Sequence, residues 1–200
     1  MQFERVAALA ELASAPGRRL VVRLPSSNRA VLLLALGGGA DADAAGGVVA
    51  LDEFCYHHGG PLSGGDVEEL PGGRCVVLCP WHKYRIDVRG GDCVYVGVDP
   101  ATGATAWKSK GVKQRTHPVD VRADGSVWVA DSSRAAAAGG GGGGDGGGAP
   151  PPRVESDAYA FLQVAPPQPR DAAAGRLGGD ARVSVPLHSR FCAPPPPDAA

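Results

Sequence analysis

The sequence has little charge imbalance, few aromatic residues and no long apolar run. Its formal net charge is −1, and aromatic residues make up 6% of the chain. A chain so close to neutral has no overall basic field, so we expect no nucleic-acid partner. The longest apolar run, Ala30 to Leu36, is strand-sized. A bilayer span needs roughly 18–20 apolar residues, so we expect no membrane span.

Cysteine is also scarce. The chain has five cysteines, an odd number that does not suit the disulfide framework of a small secreted protein. The N-terminus, MQFERVAALAEL, contains acidic residues and no cleavable apolar segment, which argues against a signal peptide. We therefore expect a cytoplasmic protein with free thiols, and most simply a monomer.

Glycine and proline are abundant but unevenly placed. Glycine and proline make up 23 of the 69 residues after residue 131 and 25 of the first 131 residues, whereas most of the β-branched residues lie among the first 131. We expect one domain over residues 1–131 and a Gly/Pro-rich linker over 132–154. The segment ESDAYAFLQV (155–164) has the apolar residues to dock on the domain. Residues 165–200, which include His188 and Cys192, are predicted to be a mostly disordered tail rich in Ala, Gly and Pro.

The sequence of this domain predicts an all-β fold. Short aliphatic runs alternate with Gly, Ser, Asn and Asp clusters, a pattern that indicates antiparallel strands joined by loops. The predicted strands are residues 19–24, 30–36, 47–54, 75–79, 84–88, 93–98, 117–122 and 126–130. Residues 4–13 have a helix-forming composition. We predict an antiparallel β-sandwich or barrel preceded by a short helix.

Two short motifs carry the chemistry. Each offers one thiol and one imidazole, as Cys55-Tyr-His57 and as Cys79-Pro-Trp-His82. A structural zinc site usually pairs Cys with Cys and His with His. The mixed pairs here suit two irons, with both cysteines on one and both histidines on the other, which is the ligand set of a Rieske [2Fe–2S] cluster.

The two loops resemble the Rieske motif, and the resemblance extends over roughly residues 19–131. CYHHGGPLSGGDVEELPGGRCVVLCPWHKYRIDV and the later KSKGVKQRTHPVDV are similar to the small soluble Rieske domain-containing proteins of animals and algae. The resemblance implies a β-sandwich with a small cluster-binding lobe, about residues 53–88 here. It also implies one [2Fe–2S] cluster per chain, with Cys55 and Cys79 on one iron and His57 and His82 on the other.

Two departures separate the chain from the Rieske subunits of respiratory complexes. Those subunits carry a cysteine in each loop that forms a disulfide, where this sequence has Gly60 and Trp81. They also place hydroxyl groups near the cluster, where this sequence has Tyr84 and Ile86. Hydroxyl donors to sulfur raise the reduction potential. We therefore predict a low-potential carrier that does not oxidise quinols.

Other candidate residues have simpler interpretations. We expect His58 on the surface or packed in its loop, His117 in a structural or exposed position, and Cys75 and Cys93 as buried thiols. Residues 108–115, KSKGVKQR, form a basic run that is either a solvated loop or a docking patch for an acidic redox partner.

The leading functional hypothesis is a non-enzymatic electron carrier between a reductase and an oxygenase, hydroxylase or similar acceptor. An oxygenase with its own active site would need a further mononuclear iron site. Only His58, His117 and His188 remain to supply its histidines. The alternative that stays open is a non-catalytic redox sensor or interaction module that carries the cluster or zinc.

Overall fold

The computed structural model describes residues 1–37, 47–134, 152–159 and Leu162. The strands are β1 (Phe3–Ala8), β2 (Arg19–Arg23), β3 (Ala30–Ala35), β4 (Val48–Asp52), β5 (Val67–Leu70), β6 (Arg74–Leu78), β7 (Arg85–Asp87), β8 (Asp92–Val98), β9 (Thr105–Val112), β10 (Thr116–His117), β11 (Val119–Val121) and β12 (Ser126–Ala130). Helix α1 spans Leu9–Ser14, and 3₁₀ helices span Pro16–Arg18, Leu62–Gly64, Ser132–Arg134 and Glu155–Tyr159. The all-β prediction is confirmed. The predicted disorder of residues 165–200 lies outside the described residues, as does most of the predicted linker.

The strands form three antiparallel sheets. Their orders are β1-β12-β11, β10-β4-β3-β2 and β5-β6-β7-β8-β9. The four-stranded sheet is the middle layer, because β3 and β4 are buried along their whole length. On β3, Leu33 packs in the core that includes Val127 and Val129 of the first sheet. Its neighbour Leu32 belongs to the core shared with the third sheet. This two-sided burial explains the continuous apolar run at residues 30–36.

The core between the middle sheet and the five-stranded sheet leads directly to the site. It contains Leu51 of β4, Val77 of β6 and Ile86 of β7, together with the thiols of Cys55 and Cys79. The two loops that carry the cysteine and histidine pairs therefore begin inside a packed apolar layer. Such a layer excludes water from the sulfur atoms and fixes the positions at which the loops start.

The predicted helix over residues 4–13 is wrong for its first half. Residues 3–8 form β1, which pairs with β12 from Phe3↔Ala130 to Ala8↔Ser126. The helix is limited to α1. Pairing of this segment with β12 outweighs its helix-forming composition, because a helix this short is not stable on its own.

The strand pattern differs from the prediction at three further places. β5 and β9 occupy segments that looked like loops, and Pro118 separates β10 from β11 within the predicted strand 117–122. β9 is an edge strand of the five-stranded sheet, and all eight of its residues are exposed. A strand paired on one side and solvated on both faces carries no apolar alternation, which is why composition did not reveal it.

Candidate metal centre

The first loop, residues 55–60, is a tight turn that follows β4. The Cys55 amide donates to the Gly60 carbonyl at 2.9 Å, and the Gly59 amide donates to the Cys55 carbonyl at 2.8 Å. Gly59 has φ of +71°, a left-handed conformation that favours glycine. The turn therefore brings the backbone back beside the Cys55 side chain.

The second loop, residues 79–84, repeats this geometry between β6 and β7. The Cys79 amide donates to the Tyr84 carbonyl at 2.9 Å, and the Lys83 amide donates to the Cys79 carbonyl at 2.8 Å. Lys83 is left-handed, with φ of +57°, at the position that corresponds to Gly59. The two loops are therefore matching backbone turns.

The two thiols lie side by side at the inner end of the loops. Cys55 and Cys79 are 0% and 1% exposed. Burial raises the pKa of the Cys55 thiol to about 12; the backbone amide of His57 lowers it, and the neighbouring Cys79 thiol raises it again. A thiolate in such a place needs a positive charge at bonding distance, and a metal ion supplies one.

The two imidazoles lie at the outer end. The rings of His57 and His82 are 4.9 Å apart between centroids and nearly perpendicular, at 88°. His57 is half-buried and His82 is exposed. The Nδ1 atom of His57 is buried and has no hydrogen-bond partner. Partial burial lowers the pKa of His57, and His58 and His82 lower it further, which favours the neutral ring that binds metals.

This donor set fits a binuclear cluster. Among the residues that the structure describes, no group of three or more His, Cys, Asp or Glu side chains lies close enough together to hold a metal ion. The donors instead form an inner pair of thiols and an outer pair of imidazoles. The unpartnered Nδ1 of His57 is a buried polar atom that a metal would satisfy.

Gln114 fixes the start of the first loop, and sequence reasoning missed it. Its side chain is fully buried, and Nε2 donates to the carbonyls of Asp52 and Phe54, each at 2.9 Å. Its Oε1 accepts from the Tyr56 amide at 2.9 Å. Gln114 lies in the basic run, and nothing in the local sequence distinguishes it from an exposed glutamine.

A second buried polar group holds the end of the first loop. The Ser63 hydroxyl donates to Glu53 Oε1 at 2.5 Å, and Arg19 donates to the carbonyls of Ser63 and Gly65 at 3.1 and 2.6 Å. Burial raises the pKa of Glu53 to about 7, although the bonds from Ser63 oppose that shift. These contacts tie β2 of the middle sheet to the loop that follows His57.

The positions that differ from the respiratory subunits have their own packing. A Cβ atom on Gly60 would lie 2.9 Å from Cys79 Sγ and 3.0 Å from the Trp81 ring, so only glycine fits between the loops. Ile86 is buried in the core. The Tyr84 ring lies 4.2 Å from that of His57 between centroids.

The remaining candidate residues are placed as follows. Cys93 is buried and accepts a hydrogen bond from the Tyr56 hydroxyl at 2.8 Å, Cys75 is half-buried, and His58 is exposed. His117 is buried, with Nε2 3.1 Å from Asp52 Oδ1. His188 and Cys192 lie outside the described residues.

The interpretation of the basic run, residues 108–115, is corrected at one residue. Arg115 is buried and paired with Asp157. A buried charge without an opposite charge beside it would destabilise the fold.

Comparisons with known proteins agree with the all-β fold. Residues 43–134 match the family of soluble Rieske-type ferredoxins. This match supports a Rieske-type domain in this part of the chain, and domains of that class bind a [2Fe–2S] cluster. A human Rieske domain-containing protein is 44% identical over 86 residues, which is 42% of this chain and 54% of that protein. The chain thus spans about half the length of this relative.

Solved structures with a related arrangement include two bacterial proteins. The ferredoxin of carbazole 1,9a-dioxygenase from Nocardioides aromaticivorans is 23% identical, with a TM-score of 0.42, and covers 65% of this chain and 98% of its own. NdmB of Pseudomonas putida is also 23% identical, with a TM-score of 0.44, and covers 64% of this chain and 33% of its own. In the described part of the chain, no helix is long and apolar enough to cross a membrane.

Proposed function

We propose that this chain is a one-electron carrier in which the side chains of the two loops hold the [2Fe–2S] cluster. Cys55 and Cys79 bind one iron. His57 and His82 bind the other. The observation that supports this most directly is the pair of matching turns, which place two buried thiols behind two imidazoles, one of them with an unpartnered buried nitrogen. A bound cluster of this type supplies one reversible electron.

Residues of this chain would shield the cysteine side of the cluster from water and leave the histidine side accessible. The apolar core surrounds Cys55 and Cys79, so water and oxidants are kept from the sulfur atoms. His82 and Trp81 are exposed at the tip of the second loop, and Trp81 is 57% exposed. A partner protein that docks on this tip would approach the histidine-bound iron rather than the cysteine-bound iron.

The surface beside the tip suits a protein partner. β7 pairs with β8 at Arg85↔Val94, and β8 continues to Val98 on the side of the second loop. Val98 and Trp107 are 59% and 38% exposed there. Exposed apolar groups next to a redox centre favour docking of another protein. We propose a reductase as donor and an oxygenase, hydroxylase or similar enzyme as acceptor, with no substrate site on this chain.

The compartment and oligomeric state belong to the same proposal. In the described part of the chain, no disulfide joins Cys55, Cys75, Cys79 or Cys93. Cysteines without disulfides suit the reducing cytoplasm, where we place the protein as a monomer.

The ligand assignment is tested by two matched pairs of variants. Cys79→Ser is compared with Cys75→Ser, and His57→Asn with His58→Asn, with iron, acid-labile sulfide and zinc measured on full chains purified anaerobically. We expect about two irons and two sulfides per chain in the wild type and in both controls. The ligand variants should lose the cluster or its rhombic EPR signal after dithionite reduction.

Two results would contradict the assignment. One is an unchanged cluster in Cys79→Ser and His57→Asn. The other is a wild-type chain that contains zinc in place of iron and sulfide, which would favour a structural interaction module. Electron transfer is tested separately by the rate at which NADH and a flavin-dependent ferredoxin reductase reduce cytochrome c. Acceleration by the chain supports a carrier, whereas an intact cluster without acceleration supports a redox sensor.

A further inference from the structure

A segment far along the chain is bound to the domain beside the first loop. We call residues 152–159 together with Leu162 the strap. Asp157 accepts hydrogen bonds from Arg115 Nε at 2.8 Å and Arg29 Nη2 at 3.1 Å. The Ser156 hydroxyl donates to Asp52 Oδ2 at 2.9 Å and accepts from the Arg115 amide at 3.0 Å. Buried charges and hydroxyls therefore fix the strap at one end.

The other end of the strap contacts the first loop. The Tyr159 hydroxyl donates to the His57 carbonyl at 2.6 Å. A Cβ atom on Gly59 would lie 2.8 Å from Leu162 Cδ1 and 3.2 Å from the Tyr159 ring. The strap thus covers one flank of the loop and leaves no room for a side chain at residue 59.

The His57 carbonyl takes no part in the hydrogen bonds that close the turn of the first loop. The turn is closed by the amides of Cys55 and Gly59 and the carbonyls of Cys55 and Gly60. The His57 carbonyl lies between them, and its partner is Tyr159. Fixing this peptide restricts the backbone that carries the imidazole and its unpartnered Nδ1.

We infer that the strap is part of the cluster site and that Tyr159 is a positioning residue, which holds His57 through its carbonyl. The inference rests on the proposed function. Partners that orient a metal ligand typically change metal retention by about 10- to 100-fold when they are removed. Because Asp157 anchors the strap independently, removal of the Tyr159 hydroxyl alone leaves the strap bound and frees only the loop.

The test compares Tyr159→Phe with Tyr95→Phe in the full chain. Tyr95 lies on β8 and is 37% exposed, so its hydroxyl controls for the loss of a phenol elsewhere. For Tyr159→Phe we expect about tenfold faster loss of visible absorbance in excess chelator under anaerobic conditions. We also expect a broader EPR signal of the reduced protein, because the His57 ring is less fixed, with an unchanged unfolding temperature.

Amide hydrogen exchange over residues 55–60 of the chain as purified completes the test. It should be faster in Tyr159→Phe and unchanged over residues 126–130. This measurement needs no cluster, so it tests the strap even if the chain binds none and the proposed function fails. A Tyr159→Phe chain that matches wild type in chelator loss, EPR and loop exchange would overturn the inference. A lowered unfolding temperature with unchanged chelator loss and EPR would do so as well.

Discussion

At the scale of single residues, the side-chain amide of Gln114 fixes the segment that leads into the first loop. Gln114 satisfies the carbonyls of Asp52 and Phe54 and the amide of Tyr56, all in a buried setting. A leucine of similar size would leave these three backbone groups without partners. An unsatisfied buried polar group costs about 1–3 kcal/mol.

We therefore expect Gln114→Leu to lower the free energy of unfolding by at least that amount and to speed amide exchange at Tyr56. Gln2→Leu is the control, since Gln2 is exposed at the N-terminus. Denaturant unfolding followed by circular dichroism measures the first effect. Equal stability of the two variants would show that water replaces the Gln114 contacts.

The proposed donor residues stand out in the sequence because their chemistry is local. A thiol and an imidazole at short spacing, twice, point to a metal whatever the surrounding fold. The residues that position them could not be predicted this way. Gln114 and Tyr159 are far from the loops in sequence, and a buried Gln or Tyr leaves no pattern until the strands are paired.

At the scale of elements, β9 changes the meaning of the basic run. Lys108 and Lys110 lie on this exposed edge strand, with Lys110 Nζ 5.2 Å from the centroid of the Tyr95 ring. Lys113 pairs with Glu155 of the strap, and Arg115 is buried. The part of the run that can meet a partner is therefore smaller than the sequence indicates.

We expect the double variant Lys108→Glu/Lys110→Glu to slow electron transfer with an acidic partner several-fold at low ionic strength. Surface charges mainly affect association rates. Arg5→Glu/Arg122→Glu reverses the same number of charges, on β1 and directly after β11, and serves as the control. The rates should converge at high salt, because screening removes the effect. Equal rates for both variants at low salt would exclude β9 from the docking surface.

At the scale of the whole molecule, a buried ionic network joins the sheets to the strap. Asp52 of β4 accepts from Arg29 and lies against His117 of β10, while Asp157 of the strap accepts from Arg29 and Arg115. Burial alone would raise the pKa of Asp157. The bonds from Arg115, the Val154 amide and Arg29 outweigh it, and the pKa falls from 3.8 to about 2.

A lowered pKa in the folded state means that the ionised Asp157 stabilises the protein above the unfolded pKa and loses this effect as pH falls through the folded pKa. We therefore expect Asp157→Asn to unfold at a lower temperature than wild type above about pH 4, and the difference to disappear towards pH 2. Circular dichroism melts between pH 6 and 2 measure this. Asp120→Asn is the control, because Asp120 and Arg122 form a half-exposed pair, which contributes little. A constant difference over this range would mean that Asp157 acts by shape and not by charge.

The sequence by itself determined the all-β class and the type of metal centre, because strand patterns and ligand spacing are local properties. Tertiary structure decided the rest. It turned a helix-forming N-terminus into β1, and it placed an apparently solvated run partly in an edge strand and partly in the interior. It also brought Tyr159 to His57, 102 residues away along the chain. These outcomes depend on which surfaces meet when the sheets pack. The sequence of one segment does not show which distant segment it will pair with.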